Sequence, residues 1–162
     1  MDANLTHKWD IWFHNEKDNW TISGYKKIYE VSTNIEFWKF YNNWDLVGGV
    51  TNKHFFIMQS GIIPIWEDVK NINGGCWSFK IHEEQAEELW EDLSVLMVCN
   101  KLLPSINNEI VGLSVCLKKN NNVVIKIWNR NSKINSLKLL NEKILKKWGM
   151  DIIYIAHMSG QK

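Results

Sequence analysis

Trp66 and Glu67 stand side by side in Pro64-Ile65-Trp66-Glu67-Asp68, in a chain that holds ten tryptophans. An indole face attracts a cationic ring through its quadrupole. A neighbouring carboxylate accepts two parallel N–H donors from the edge of that ring, as a short charge-assisted pair. A flat base with a delocalised positive charge and adjacent ring and exocyclic N–H groups satisfies both, and 7-methylguanine is such a base. Guanine has the same edge without the charge, so a second stacked indole would separate the two. Trp20, in the polar loop Lys17-Asp18-Asn19-Trp20-Thr21, either tucks back on the protein or waits for a ligand. Taken alone, Trp66 and Glu67 also read as a hydrophobic loop anchor beside a solvated acid.

A predicted hairpin, Val111–Leu117 and Val123–Trp128, adds polar groups to this set. Strand alternation puts Val111, Leu113, Val115 and Leu117 on one face, with Val123, Ile125 and Ile127 of the return strand. The opposite face carries Lys118, Val124, Lys126 and Trp128. Two lysines and an indole there mark either a solvated sheet face or an anion-binding edge beside an aromatic.

Catalytic chemistry finds little support. Glu83-Glu84-Gln85-Ala86-Glu87-Glu88 lacks the glycine and arginine of a metal-dependent hydrolase motif, and acids in a first helical turn suit the helix dipole. No Ser-His-acid order, Gly-rich phosphate loop or His-Cys metal spacing stands out. The five histidines are scattered and read as structural or surface groups. The expectation is a non-enzyme with no metal and no cofactor.

The positioning elements follow from periodicity. Lys8–His14 alternates, with Trp9, Ile11 and Phe13 on one face of a strand. Tyr25–Val31, His54–Met58, Trp77–Ile81 and Ile152–Ile155 read as further strands, and Gly61–Gly75 as the loop carrying Trp66. Thr33-Asn34-Ile35-Glu36 is a capping box that opens a first helix. Its Phe37, Trp38, Phe40 and Tyr41 cover about 160° of arc, which leaves one edge exposed. A second helix spans Glu83–Cys99, with Ala86, Leu89, Trp90, Leu93, Leu96 and Met97 in one stripe. A third is predicted over Ile134–Trp148, with Leu137, Leu140, Ile144 and Trp148 inward and Gly149 as its C-terminal cap. Trp9, Trp77, Trp90 and Trp148 read as core. Asn120-Asn121-Asn122 reads as a turn. The pattern predicts an α+β fold: one antiparallel sheet, three helices on one face, the other face left for solvent or ligand.

Composition sets the outer bounds. A chain of 162 residues, 45% apolar, is one ordinary domain with a sizeable core. A net charge of +1 argues against generic binding to long nucleic acid, which needs a basic face. Cys76, Cys99 and Cys116 are odd in number, lack metal spacing and read as reduced, half-buried thiols. Met1–Trp9 has no hydrophobic signal region, and no apolar run approaches the roughly 18 residues that span a membrane. The expected compartment is the cytoplasm, with the nucleus second. The abundance of Asn, Ile and Lys, with Arg130 the only arginine, is typical of AT-rich genomes, as in some protists and large DNA viruses. A viral protein would act in the host cytoplasm.

Ordered blocks carry a resemblance. His7-x-Trp9-x-x-Trp12-Phe13, Trp20, Phe37-Trp38-x-x-Tyr41-Asn42, Gly61-Ile62-x-Pro64-x-Trp66-Glu67-Asp68, Gly74-Gly75-x-Trp77, Trp90 and Ile125-x-Ile127-Trp128 follow one another as in eukaryotic translation initiation factor 4E, the mRNA cap-binding family. The chain resembles that family from Trp9 to about His157. The resemblance implies a single cap-binding domain over residues 1–162, with helices on the convex face of the sheet and the ligand on the concave face. It implies a 7-methylguanine sandwiched by Trp20 and Trp66, its edge on Glu67 and its methyl group near Trp128. Lys118 stands at the family's phosphate arginine and Val124 at its phosphate lysine, so Lys126, Lys119 or Arg130 would compensate. Most of the family's C-terminal loop has no counterpart within residues 1–162. On the convex face the family binds a Tyr-x-x-x-x-Leu-apolar helix of a scaffold or repressor. Trp38 is kept there and Val95 falls in the same patch, but Asn34 and Glu91 replace apolar residues and Cys99 replaces a glycine.

The leading expectation is a factor that binds capped mRNA and recruits it for translation initiation, with a scaffold or a dedicated partner and no membrane. The alternatives are a cap-binding decoy or repressor that does not engage the usual scaffold, and an aromatic-rich module for another flat or sugar ligand. A cap-cleaving hydrolase lacks the acidic metal ligands.

Overall fold

The computed structural model describes residues 4–14, 20–43, 54–106 and 108–158. Lys17, Asp18 and Asn19 of the Trp20 loop lie outside them. Among the described residues seven strands form one antiparallel sheet: β1 (Asn4–His14), β2 (Tyr25–Thr33), β3 (His54–Gln59), β4 (Gly75–His82), β5 (Ile110–Leu117), β6 (Asn122–Asn129) and β7 (Ile152–Ala156). Their spatial order is β2-β1-β3-β5-β6-β4-β7. The helices are α1 (Asn34–Asn42), α2 (Glu83–Val98) and α3 (Glu142–Trp148). The sheet is curved and the helices cover its convex face.

Alternation decides which face is stabilised. Odd-numbered strand residues such as Trp9, Ile11, Phe55, Ile57, Trp77 and Phe79 share one buried cluster with Phe37, Leu89, Trp90 and Ile144 of the helices. Each such side chain contributes about 1.5–3 kcal/mol on burial. The opposite face holds a much smaller apolar cluster, built on Phe56, Met58, Cys76 and Trp128. Stability therefore resides on the helix side, and the concave side remains available.

Local signals explain the boundaries. Thr33 accepts a hydrogen bond from the Glu36 amide, and Glu36 accepts from the Ser32 amide and hydroxyl, which fixes the start of α1. Phe37 and Phe40 are buried on α1 while Trp38 is 41% exposed, as the wide arc predicts. The left-handed backbone of Asn120 and Asn121 (φ 60° and 59°) makes the β5–β6 turn, a conformation asparagine tolerates.

Three expectations are corrected. The third helix begins at Glu142, not near Ile134, because Asn141 caps the Lys143 amide and is itself tied to Leu102 and Lys101 by backbone and side-chain bonds. Leu137, predicted inward, is exposed on a short 3-10 turn capped by Ser136, and Trp148 is only half-buried. Gly149 is the C-terminal cap of α3, as expected: it stands at φ −73°, its amide donates to the Leu145 carbonyl, and the chain continues into a 3-10 turn. Val111 faces the concave side with Trp128, away from Leu113, because a bulge between Ile110 and Gly112 inserts one residue. The thiols also differ from one another: Cys76 is buried, Cys116 intermediate and Cys99 exposed.

Candidate binding site on the concave face

A cavity of about 400 Å³ opens on the helix-free face, lined by Trp20, Trp66, Glu67, Lys126, Trp128 and His54 among others. Three chain segments far apart in sequence supply the three tryptophans and Glu67. Each reaches the cavity by a different device.

Trp128 comes from β6, opposite Gly112 on β5 and Cys76 on β4. Its indole N–H donates to Ser114 Oγ at 3.0 Å, and Phe56 meets its ring edge-on at 6.2 Å. Only 7% of the residue is exposed, so it forms a fixed wall. Opposite it, Gly112 lets β3 come close, since a Cβ there would collide with the Met58 sulfur and the Ile57 carbonyl.

Trp66 and Glu67 project from a loop braced by the residues that follow. Asp68 accepts from the Ile63 amide at 3.0 Å and the Lys70 amide at 2.8 Å. Asn71, fully buried, donates to the carbonyls of Ile63 at 3.1 Å and Ile65 at 2.8 Å. Gly61 turns the chain at φ +91° where the loop leaves β3. Trp66 is 36% exposed on this scaffold. The Glu67 charge reaches Tyr25 across the cavity, where burial first and then Glu67 push the phenol up from its ordinary range.

Trp20 is 58% exposed. Its ring stacks on His14 of β1, with centroids 4.0 Å apart and planes 9° from parallel. His54 of β3, in register with His14, meets Trp20 edge-on at 6.4 Å.

The electrostatics are set by lysines against buried imidazoles. His54 is lowered to about 3, by burial and then by Lys118, Lys126 and His14. His157 beside Trp128 is lowered to about 4 by burial and then Lys126. Burial pushes the Cys76 thiol up to about 12, against a smaller opposing effect of Lys126. Both imidazoles are therefore neutral near pH 7. His54 Nδ1 and His157 Nε2 are buried without a hydrogen-bond partner among the described residues.

Of the expected site residues, Trp20, Trp66, Glu67, Lys126 and Trp128 meet at one cavity. Lys118 stands at the end of β5 with its charge on the His54 side, and Lys119 lies in the exposed β5–β6 turn. Arg130 is not a lining residue: its guanidinium donates to Gln59 Oε1 at 3.3 Å. Val124 pairs with Cys116 of β5 and Lys80 of β4, so the cation in that register row is Lys80 on the neighbouring strand. The residue types alone missed His14, His54, His157 and Tyr25. The usable signal was strand parity, because His14 and His54 alternate with the helix-facing residues of β1 and β3.

On the convex face, Trp38 rests edge-on against Phe37 at 5.1 Å and Tyr41 at 6.0 Å. Burial, then Glu91, Glu87 and Asp92, push the Tyr41 phenol strongly up, so Glu91 lies within electrostatic reach of this patch. Asn34 and Glu91 are exposed and Val95 is half-buried.

The family model of eukaryotic initiation factor 4E matches residues 4–159. The chain is 33% identical over 138 residues to the eukaryotic translation initiation factor NCBP of Arabidopsis thaliana, covering 81% of this chain and 60% of that protein. It is 28% identical over 134 residues to initiation factor 4E-1 of Oryza sativa, covering 79% and 57%. The chain thus spans 60% and 57% of the length of these two curated relatives. Among solved structures, C. elegans eIF4E-3 with the 4E-binding protein Mextli and a cap analog superposes at TM-score 0.83, with 21% identity, 97% of this chain and 94% of that chain. Ascaris suum eIF4E-3 with m2,2,7G cap superposes at 0.81, with 22% identity, 100% and 95%. These two share the fold.

Proposed function

We propose that this chain, which belongs to the eukaryotic initiation factor 4E family, binds the 7-methylguanosine cap of mRNA and recruits the message for translation initiation. The observation that carries the reading is the meeting of Trp20, Trp66, Glu67, Lys126 and Trp128 at one concave cavity. The methylated base stacks between Trp20 and Trp66, where its positive charge meets two indole faces. Glu67 accepts the two N–H groups of its edge. Trp128 closes the site on the methyl side. Lys126, with Lys118 behind it, receives the phosphates as point charges. No step of covalent chemistry is involved, and the site of action is the cytoplasm, where capped messages are translated.

The test is retention on immobilised 7-methyl-GTP. Elution by free 7-methyl-GTP and not by GTP is expected. Passage through the column, or equal elution by GTP, overturns the reading.

A second reading, a cap-binding decoy or repressor, is favoured by one observation. Glu91 is a charged residue beside the Trp38–Tyr41 patch, and an unpaired buried carboxylate is costly. A Tyr-x-x-x-x-Leu-apolar scaffold helix docking there would bury it unpaired, whereas a dedicated partner with a basic residue facing it would pair it. Titration with a standard scaffold peptide separates the two: weak binding by the parent and a gain in Glu91→Leu favour the second reading, and tight binding by the parent removes it.

A further inference from the structure

We infer that His14 is a positioning residue: it holds the Trp20 indole in the orientation in which a flat base can stack on its other face. The inference takes its ligand from the cap-binding reading and its geometry from the ring stack alone.

Trp20 needs a support. It stands on an exposed segment, and an indole free to change rotamer must be ordered each time a base binds. His14 supplies a flat, rigid floor. It is 4% exposed, near the end of β1, and fixed by register to Tyr25 on one side and His54 on the other. Its ring lies 4.0 Å from Trp20 and within 9° of parallel. Tyr25 closes on the imidazole at 4.7 Å. One indole face is thus occupied by His14, and the other is left for the ligand. The resulting order is imidazole, indole, base and second indole.

Fluorescence titration with 7-methylguanosine, the nucleoside without phosphates, tests this in the parent, His14→Phe and His14→Ala. His14→Phe keeps a flat floor under the indole and is expected to bind within about twofold of the parent. His14→Ala is expected to bind about tenfold more weakly than the parent, by loss of the floor. Parent-like affinity of His14→Ala, or a loss in His14→Phe as large as that in His14→Ala, overturns the positioning role. A ligand-free measurement keeps this separate from the functional reading. The His14 Hε1 resonance should be displaced upfield by the Trp20 ring current and relax in Trp20→Ala. Failure of all proteins to bind the nucleoside sinks the cap reading; a His14 resonance indifferent to Trp20 sinks the stack.

Discussion

Trp66 and Trp20 face one cavity from supports of opposite character. Trp66 sits on a loop whose backbone is tied by Asp68 and Asn71 through four hydrogen bonds. Trp20 rests on another ring and is the more exposed of the two, at 58% against 36%. Hydrogen bonds to buried backbone groups are directional and costly to leave unmade. A ring stack tolerates sliding, with a shallow energy surface. One jaw is therefore set before the ligand arrives, and the other is adjusted by what lies beneath it.

Breaking the braced jaw has the largest expected effect. Asn71→Ala removes both side-chain bonds to the carbonyls of Ile63 and Ile65 and leaves them only the backbone bonds from the Ile65 and Asp68 amides. A stability loss on the order of 2–4 kcal/mol is expected in denaturant unfolding, with weaker retention on 7-methyl-GTP. Unchanged stability would mean that the loop is held by its other bonds. Glu67→Gln, on the same jaw, keeps shape but turns one acceptor into a donor. A loss of about 1.5–3 kcal/mol in cap affinity is expected by titration, with the fold unaltered.

Removing the rings compares the jaws directly. Trp66→Ala and Trp20→Ala are each expected to weaken cap binding by roughly 1–3 kcal/mol, with unchanged circular dichroism. A silent Trp20→Ala alongside a damaging Trp66→Ala would show that only the braced jaw grips.

Acid sharpens the difference. His54 lies against the Trp20 side with its folded value, about 3, well below that of an exposed imidazole. The unfolded chain therefore takes up the proton first, so stability is full above about pH 7 and is lost as pH falls from about 6.5 towards 3. The slope approaches about 1.4 kcal/mol per pH unit for one group. Unfolding of His54→Phe should show a shallower slope between pH 6 and pH 4.5, and an unchanged slope would assign the acid sensitivity elsewhere. The smallest effect belongs to Lys126, which lies between the jaws. Lys126→Ala should weaken 7-methyl-GTP by about 1 kcal/mol or less at physiological salt and leave 7-methylguanosine unaffected. An equal loss for both ligands would contradict a phosphate role.

The strands, the first two helices and the split of the sheet into a packed and an open face were legible in the chain. Trp9, Ile11, Phe55, Ile57, Trp77 and Phe79 alternate with period two, and Thr33 and Glu36 spell a helix start, because these are local consequences of backbone geometry. The same alternation set Lys126 and Trp128 on the open face. What the chain could not reveal arose from partners distant in sequence. Asn141 ended the run from Ile134 because Lys101 and Leu102 claim its amides, and one extra residue near Gly112 turned Val111 over. Most of all, the stack of Trp20 on His14, the register of His14 with His54 and the clamp of Asn71 on Ile63 and Ile65 exist only after strands and loop have met. Residue type and spacing fix which groups face the cavity. Only tertiary packing decides what stands behind each of them, and so how firmly each is held and what charge it feels.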